Sequence, residues 1–200
     1  MLVTDCEMTG LEPTEHSILS VGAIDLDNPS RQLYEECRAW DGAKIEDDAL
    51  AVCGFTREQA TDPAKQTEGE LVHKFIQFAD GMQDTTLAGQ NVYVDLYFLQ
   101  NAAKRAGHTA WPFAHRILDV HTLCWEHMVK RGVTPPLNVE KHHSALNLEA
   151  VALYCGMPAE PKPHNALTGA KYSAEVVSRL LNDKKLLPEF DQYPLPWIAA

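Results

Sequence analysis

Basic residues are scarce in this chain. It carries 17 Lys and Arg against 28 Asp and Glu, a formal net charge of -11 over 200 residues. Such a surface repels polyanions at long range. That excludes a protein that coats long DNA or RNA, but not an enzyme that holds a few nucleotides through metal ions and local Lys or Arg. A zinc or disulfide pattern is also missing. The five cysteines, Cys6, Cys37, Cys53, Cys124 and Cys155, are scattered, odd in number and form no CxxC. Reduced thiols in a cytosol are the expectation. No charged start leads into a signal-type apolar segment, and no apolar run approaches the ~20 residues that cross a bilayer. A cytoplasmic protein with no membrane partner is therefore expected. The sequence has neither G-x-G-x-x-G nor G-x-x-x-x-G-K-[ST], which removes dinucleotide and P-loop readings. Without G-x-S-x-G, a Ser-His-Asp hydrolase has no support.

Hydrophobic residues make up 45% of the chain, enough for one sizeable core. Strand patterns cover Leu2–Met8, His16–Leu26 and Arg31–Trp40, with Asp27-Asn28-Pro29-Ser30 as a turn between the last two. They suggest an antiparallel meander joined by short turns. Helix-period spacing then places Leu71, Phe75 and Phe78 on one face, behind a capping box at Thr67 and Glu70. A short strand at Thr85–Gly89 leads into a helix closed by Gly107. Another short strand lies near Ile117–Val120. A helix opened by Ser144 or Asn147 ends at Gly156, and a last helix carries Ala170, Ala174, Val177 and Leu181 inward. The expected fold is α/β: one domain over residues 1–182, then a Pro-rich tail over 183–200 whose Phe190, Tyr193 and Trp197 pack on the body or on a partner.

Asp5 and Glu7 stand two apart in the first strand and so share a face. Like charges that close resist ionisation unless a cation or a basic side chain compensates them. An exposed acidic edge explains the pair equally well. Asp95 falls at the start of a helix, where dipole compensation alone accounts for it. His164 sits in a Pro-rich loop before the last helix, and a surface histidine is the plain reading. Lys104-Arg105 and Lys130-Arg131 read as solvated helix ends, and His142-His143 as exposed loop residues.

Taken together, "DCEMTG", "GQNVYVDLYFL" and "HNALTGAKYSAE" resemble the three motifs of the DnaQ-like, DEDDh-type 3'-5' exonuclease superfamily. "RILDVHTLCW" and "NLEAVALYCGM" are similar to its intervening segments. The resemblance implies an RNase H-like fold, a mixed sheet of antiparallel meander and parallel strands flanked by helices. It implies two-metal hydrolysis at a 3' end, releasing nucleoside 5'-monophosphates. Asp5, Glu7 and Asp95 would hold Mg²⁺ or Mn²⁺, since all-oxygen ligation suits hard cations. His164 would be the general base. Met8, Thr9, Gly10, Leu11 and Asn91 would contact the terminal nucleotide. The expected partner is single-stranded or 3'-end nucleic acid, with a homodimer as the candidate assembly.

One departure matters. The family's fourth acid falls at position 169, which is Gly169. Glu175 lies round the helix from it, and Ser173, one turn on, is a weak neutral ligand, so no near neighbour replaces it. Water or the substrate's phosphate would fill the gap, and an aspartate at 169 is expected to fold normally. The alternative function is a weakened exonuclease-like module that binds nucleic-acid ends or a protein partner.

Overall fold

In the computed structural model, which describes residues 1–198, Leu2–Met8 forms β1 at the centre of the sheet. The last two residues of the 183–200 tail lie outside the described residues. The strand is central because it is apolar on both sides, with Val3 buried in one core and Leu2 and Cys6 in the other. β2 (Ile18–Asp25), buried along its whole length, and β3 (Gln32–Glu36) extend the sheet antiparallel on one flank. β4 (Leu87–Gly89) and β5 (Ile117–Asp119) extend it parallel on the other, giving the order β3-β2-β1-β4-β5. This is the mixed RNase H-like sheet. Two details differ from expectation. The β1–β2 connection runs over residues 9–17 and is not a short turn. The strand expected to reach Trp40 stops at Glu36, because Arg38 and Ala39 donate to the carbonyls of Gln66 and Ala60 instead of to a strand.

Helices cover both faces. α1 (Asp47–Cys53) and α2 (Arg57–Ala60) bury Leu50, Cys53 and Ala60 against Leu19. Neither was read from the sequence. α3 (Glu68–Phe78) and α4 (Tyr93–Arg105) pack Leu71, Phe75 and Phe98 on Leu2 and Cys6. The Thr67–Glu70 capping box forms as expected. Arg105 is not a solvated end. Its guanidinium forks onto the buried Glu68 at 2.8 to 3.0 Å, and Glu68 also accepts from the Ile18 N–H at 3.0 Å. This ties α4, α3 and β2 together. Lys130 does stay exposed, paired with Glu126.

The other face holds α5 (Val120–Lys130), α6 (Leu148–Tyr154), capped by Asn147, and α7 (Ala166–Asn182). Between α5 and α6, β6 (Leu137–Asn138) and β7 (His143–Ser144) form a small hairpin. α7 lies very close to the sheet. A Cβ at Gly22 in β2 would stand 2.1 Å from the Ala166 carbonyl oxygen, so only glycine admits the helix there.

The far half of α7 is fastened by a fully buried ion pair, with Arg179 Nε 2.7 Å from Glu175 Oε1. Neither member wastes a polar atom. Glu175 accepts the N–H groups of Leu186 and Leu187, and Arg179 donates to the carbonyls of Cys155, Phe190 and Tyr193. The tail, with a single 3-10 turn at Pro188–Phe190, is drawn onto the body, burying Leu187 and Phe190. Arg179→Ala strands the Glu175 charge and should cost about 3–5 kcal/mol, read from the urea midpoint. The double replacement Glu175→Leu with Arg179→Met should cost much less than the single one. An unchanged midpoint for Arg179→Ala would show that the pair does not anchor the tail.

Candidate active site

Between Glu7 and Met8 the pairing of β1 with β2 slips register, from Glu7 opposite Ser20 to Met8 opposite Ile18. A bulge of this kind bends a strand and re-aims its side chains. Asp5 lies under α7 at the helix's first turn. A Cβ built on Gly169 would be 2.3 Å from Asp5 Oδ2 and 2.8 Å from its Cγ. Asp95 comes from the opposite face of the sheet. It is buried in the first turn of α4, and its Oδ1 accepts the Cys6 N–H at 2.8 Å. Asp5 and Glu7 on β1 and Asp95 on α4 thus lie in one region of the fold, toward the end of β1.

Removal from water is the main force on all three. Burial raises the Asp5 pKa well above the usual carboxylate range, and the charges of Asp95, Glu7 and Glu160 raise it further. Burial pushes Glu7 up to about 8, with Glu160 and Asp95 adding to it. Asp95 is also raised by burial, against the opposing pull of the backbone N–H groups it accepts from. Every charged neighbour that shifts Asp5 and Glu7 is itself acidic. Among the described residues, no three His, Cys, Asp or Glu side chains converge on one point as metal ligands do.

Glu160 is the site residue that sequence reasoning missed. It lies in the Pro-rich loop between α6 and α7, and burial raises its pKa to about 7. The available signal was a lone acid flanked by Pro158, Pro161 and Pro163, four residues before His164. His164 stands just ahead of α7, where its N–H donates to the Val52 carbonyl at 3.0 Å. The unread α1 therefore holds this loop in place.

The expected nucleotide contacts divide. Thr9 is fully buried, its N–H donates to Ser17 O, its hydroxyl donates to Lys44 O at 2.7 Å, and its carbonyl accepts from Glu46. It staples the loop and has no group left to offer. Gly10 leaves room for the His16 ring, which a Cβ would meet at 2.2 Å. Met8 packs on the α3–α4 core. Leu11, by contrast, is 83% exposed. With Asn91 it lines a cleft of about 360 Å³ shared with Pro13, Tyr93, Val94 and Tyr97. Asn91 adopts the left-handed φ of 52° that asparagine tolerates, turning the chain from β4 toward α4. The two tyrosines are one helical turn apart, half-exposed, with ring centroids 6.4 Å apart. Neither had been singled out.

Comparison with solved structures agrees with this fold. The chain superposes on E. coli Exonuclease I in complex with a dA16 oligonucleotide with a TM-score of 0.70 at 18% identity, over 92% of this chain and 40% of that one. A zinc-bound E. coli ExoI–ssDNA complex gives 0.69 at 16% identity, over 92% and 41%. The nuclease domain of 3'hExo, a DEDDh family member bound to rAMP, gives 0.68 at 18% identity, over 93% of each chain. The chain thus spans about two-fifths of Exonuclease I and nearly all of the 3'hExo nuclease domain. Residues 2–177 match the RNase_T family model, described as exonuclease. The carboxylates at the end of β1, the fold and that match agree: the chain belongs to the RNase_T exonuclease family.

Proposed function

We propose that this chain is a metal-dependent 3'-5' exonuclease that hydrolyses the terminal phosphodiester bond of single-stranded or short nucleic acid and releases nucleoside 5'-monophosphates. The observation that carries the reading is the placing of Asp5, Glu7 and the buried Asp95 in one region of the fold, with only acidic charges acting on the first two. Carboxylates so placed call for cationic compensation, and an all-oxygen donor set fits Mg²⁺ or Mn²⁺. Divalent cations bound there would neutralise the scissile phosphate and acidify the attacking water.

The protein's own groups supply the rest. Asp5, Glu7 and Asp95 hold the ions. His164 takes the proton of the attacking water. Leu11 wedges against the terminal base, Asn91 borders it, and Tyr93 and Tyr97 offer stacking faces, worth about 1–3 kcal/mol per base in comparable sites. A second reading rests on Gly169: with no carboxylate at that position, the chain binds nucleic-acid ends or a protein partner without efficient cleavage. A 5'-labelled oligonucleotide incubated with Mn²⁺ or Mg²⁺ separates the two. The first reading requires a ladder that shortens from the 3' end and stops in EDTA.

Three outcomes are expected. Asp5→Asn should abolish the ladder and weaken Mn²⁺ binding together; full turnover by that variant would remove Asp5 from the site. His164→Ala should lower kcat by about 10²–10⁴-fold with little change in oligonucleotide affinity, whereas loss of affinity at constant kcat would make His164 a contact residue. The third outcome is a pH dependence of the metal-free protein. Glu7 moves from an ordinary 4.5 to about 8 on folding, and Glu160 from 4.5 to about 7. Between those limits the folded state holds more protons than the unfolded state, so stability falls as pH rises. Glu7 alone contributes a slope of about 1.4 kcal/mol per pH unit, and the more exposed Glu160 adds less. Calorimetry in EDTA should show Tm falling from about pH 5 to 8, and Mn²⁺ should flatten the fall. A Tm that rises over that window would contradict the burial of these groups.

A further inference from the structure

The family's fourth acid would stand at position 169, and the structure shows why a side chain there has no room: Asp5 Oδ2 occupies the place of its Cβ, at 2.3 Å. An aspartate at 169 would enter only with a shift of the Asp5 carboxylate. A carboxylate reaches the same cluster by another route. Glu160 is the leading charged neighbour of Glu7 and also acts on Asp5. Its Oε1 is buried and accepts no hydrogen bond. Glu7, 8% exposed, is buried beside it. A buried carboxylate oxygen without a donor is unfavourable, and a cation is the partner that a cluster of acids can share.

The loop that carries Glu160 is held on both sides. The Tyr172 hydroxyl, on α7, donates to the Ala159 carbonyl at 3.2 Å. On the other side, the His164 N–H donates to Val52 O at 3.0 Å. Pro163 fills the space left by Gly54, where a Cβ would meet its ring at 2.7 Å. Pro158, Pro161 and Pro163 restrict the backbone between these points. Glu160 is the only acid from residue 157 to residue 165. A rigid loop, anchored to α7 and α1, thus delivers one carboxylate to the cluster that lacks one.

We propose that Glu160 is the fourth carboxylate ligand of the divalent-metal site formed with Asp5, Glu7 and Asp95, supplied from the loop before α7 in place of a side chain at position 169. The proposal rests on the metal-dependent reading above. Glu160→Gln keeps the shape and removes the charge. Titration calorimetry with Mn²⁺ alone should show binding weakened about 10–100-fold, the range seen when groups supporting a metal are lost. Exonuclease turnover at limiting Mn²⁺ should fall in step and recover as Mn²⁺ is raised. In EDTA at pH 8 the variant should melt no lower than the parent, since a buried charge has been removed. Glu160→Asp, which keeps the charge on a shorter arm, should fall between the two. If Glu160→Gln binds Mn²⁺ like the parent while Asp5→Asn does not, the metal reading stands and the role of Glu160 is overturned. If the parent itself binds no Mn²⁺, both are overturned. If Glu160→Gln melts lower in EDTA and extra Mn²⁺ restores nothing, Glu160 is a structural residue of the loop.

Discussion

The close seat of α7 on the central strands is the constraint from which the rest of the site follows. Gly22 admits the start of the helix, and Gly169 admits the Asp5 carboxylate beneath its first turn. Any larger residue at either place lifts the helix or displaces the acid. The same helix is locked further along by the buried Glu175–Arg179 pair, which uses its remaining donors and acceptors on the tail and the end of α6. The helix is thus fixed at both ends. Burial beneath it, together with the charges of Asp95, Glu7 and Glu160, raises the Asp5 pKa well above the usual carboxylate range.

A chain with a net charge of -11 and an acidic crevice is an unpromising partner for a polyanion. The structure answers this locally. The cleft that Asn91 borders is lined by Leu11, Tyr93 and Tyr97 and carries no Lys or Arg. Stacking and apolar contact act on bases, and they need no net positive field. The acidic surface then discourages long nucleic acid from coating the protein. Arg105, read from the sequence as a solvated helix end, is spent on Glu68.

Much of this molecule was legible in its sequence. The apolar runs in Leu2–Met8 and Ile18–Asp25, the period of 3.6 in α3 and α7, and the capping box at Thr67 are local signals, set by residues close in the chain. Asp5, Glu7, Asp95 and His164 stand out in the sequence through motif order. The short helices α1 and α2 were not, because helices of seven and four residues carry too little periodicity to read. Arg31–Trp40 was read too long because its apolar run continues past Glu36, where the N–H groups of Arg38 and Ala39 turn to the carbonyls of Gln66 and Ala60.

What only the tertiary structure decided depends on contacts between distant residues. Thr9 sits in the motif expected to touch substrate, yet its polar groups are consumed by Ser17, Lys44 and Glu46 across the loop. Gly169 reads in sequence as a missing acid, and in space as the clearance for Asp5. Glu160 reads as an ordinary acid among prolines, and in space its charge bears on Glu7 and Asp5. By itself the sequence determined the elements, their caps and the acids of the first two motifs, since each of these follows from short-range spacing. The makeup of the acidic cluster was decided by the fold, because electrostatic repulsion and exclusion of water act through space and carry no mark in the order of residues.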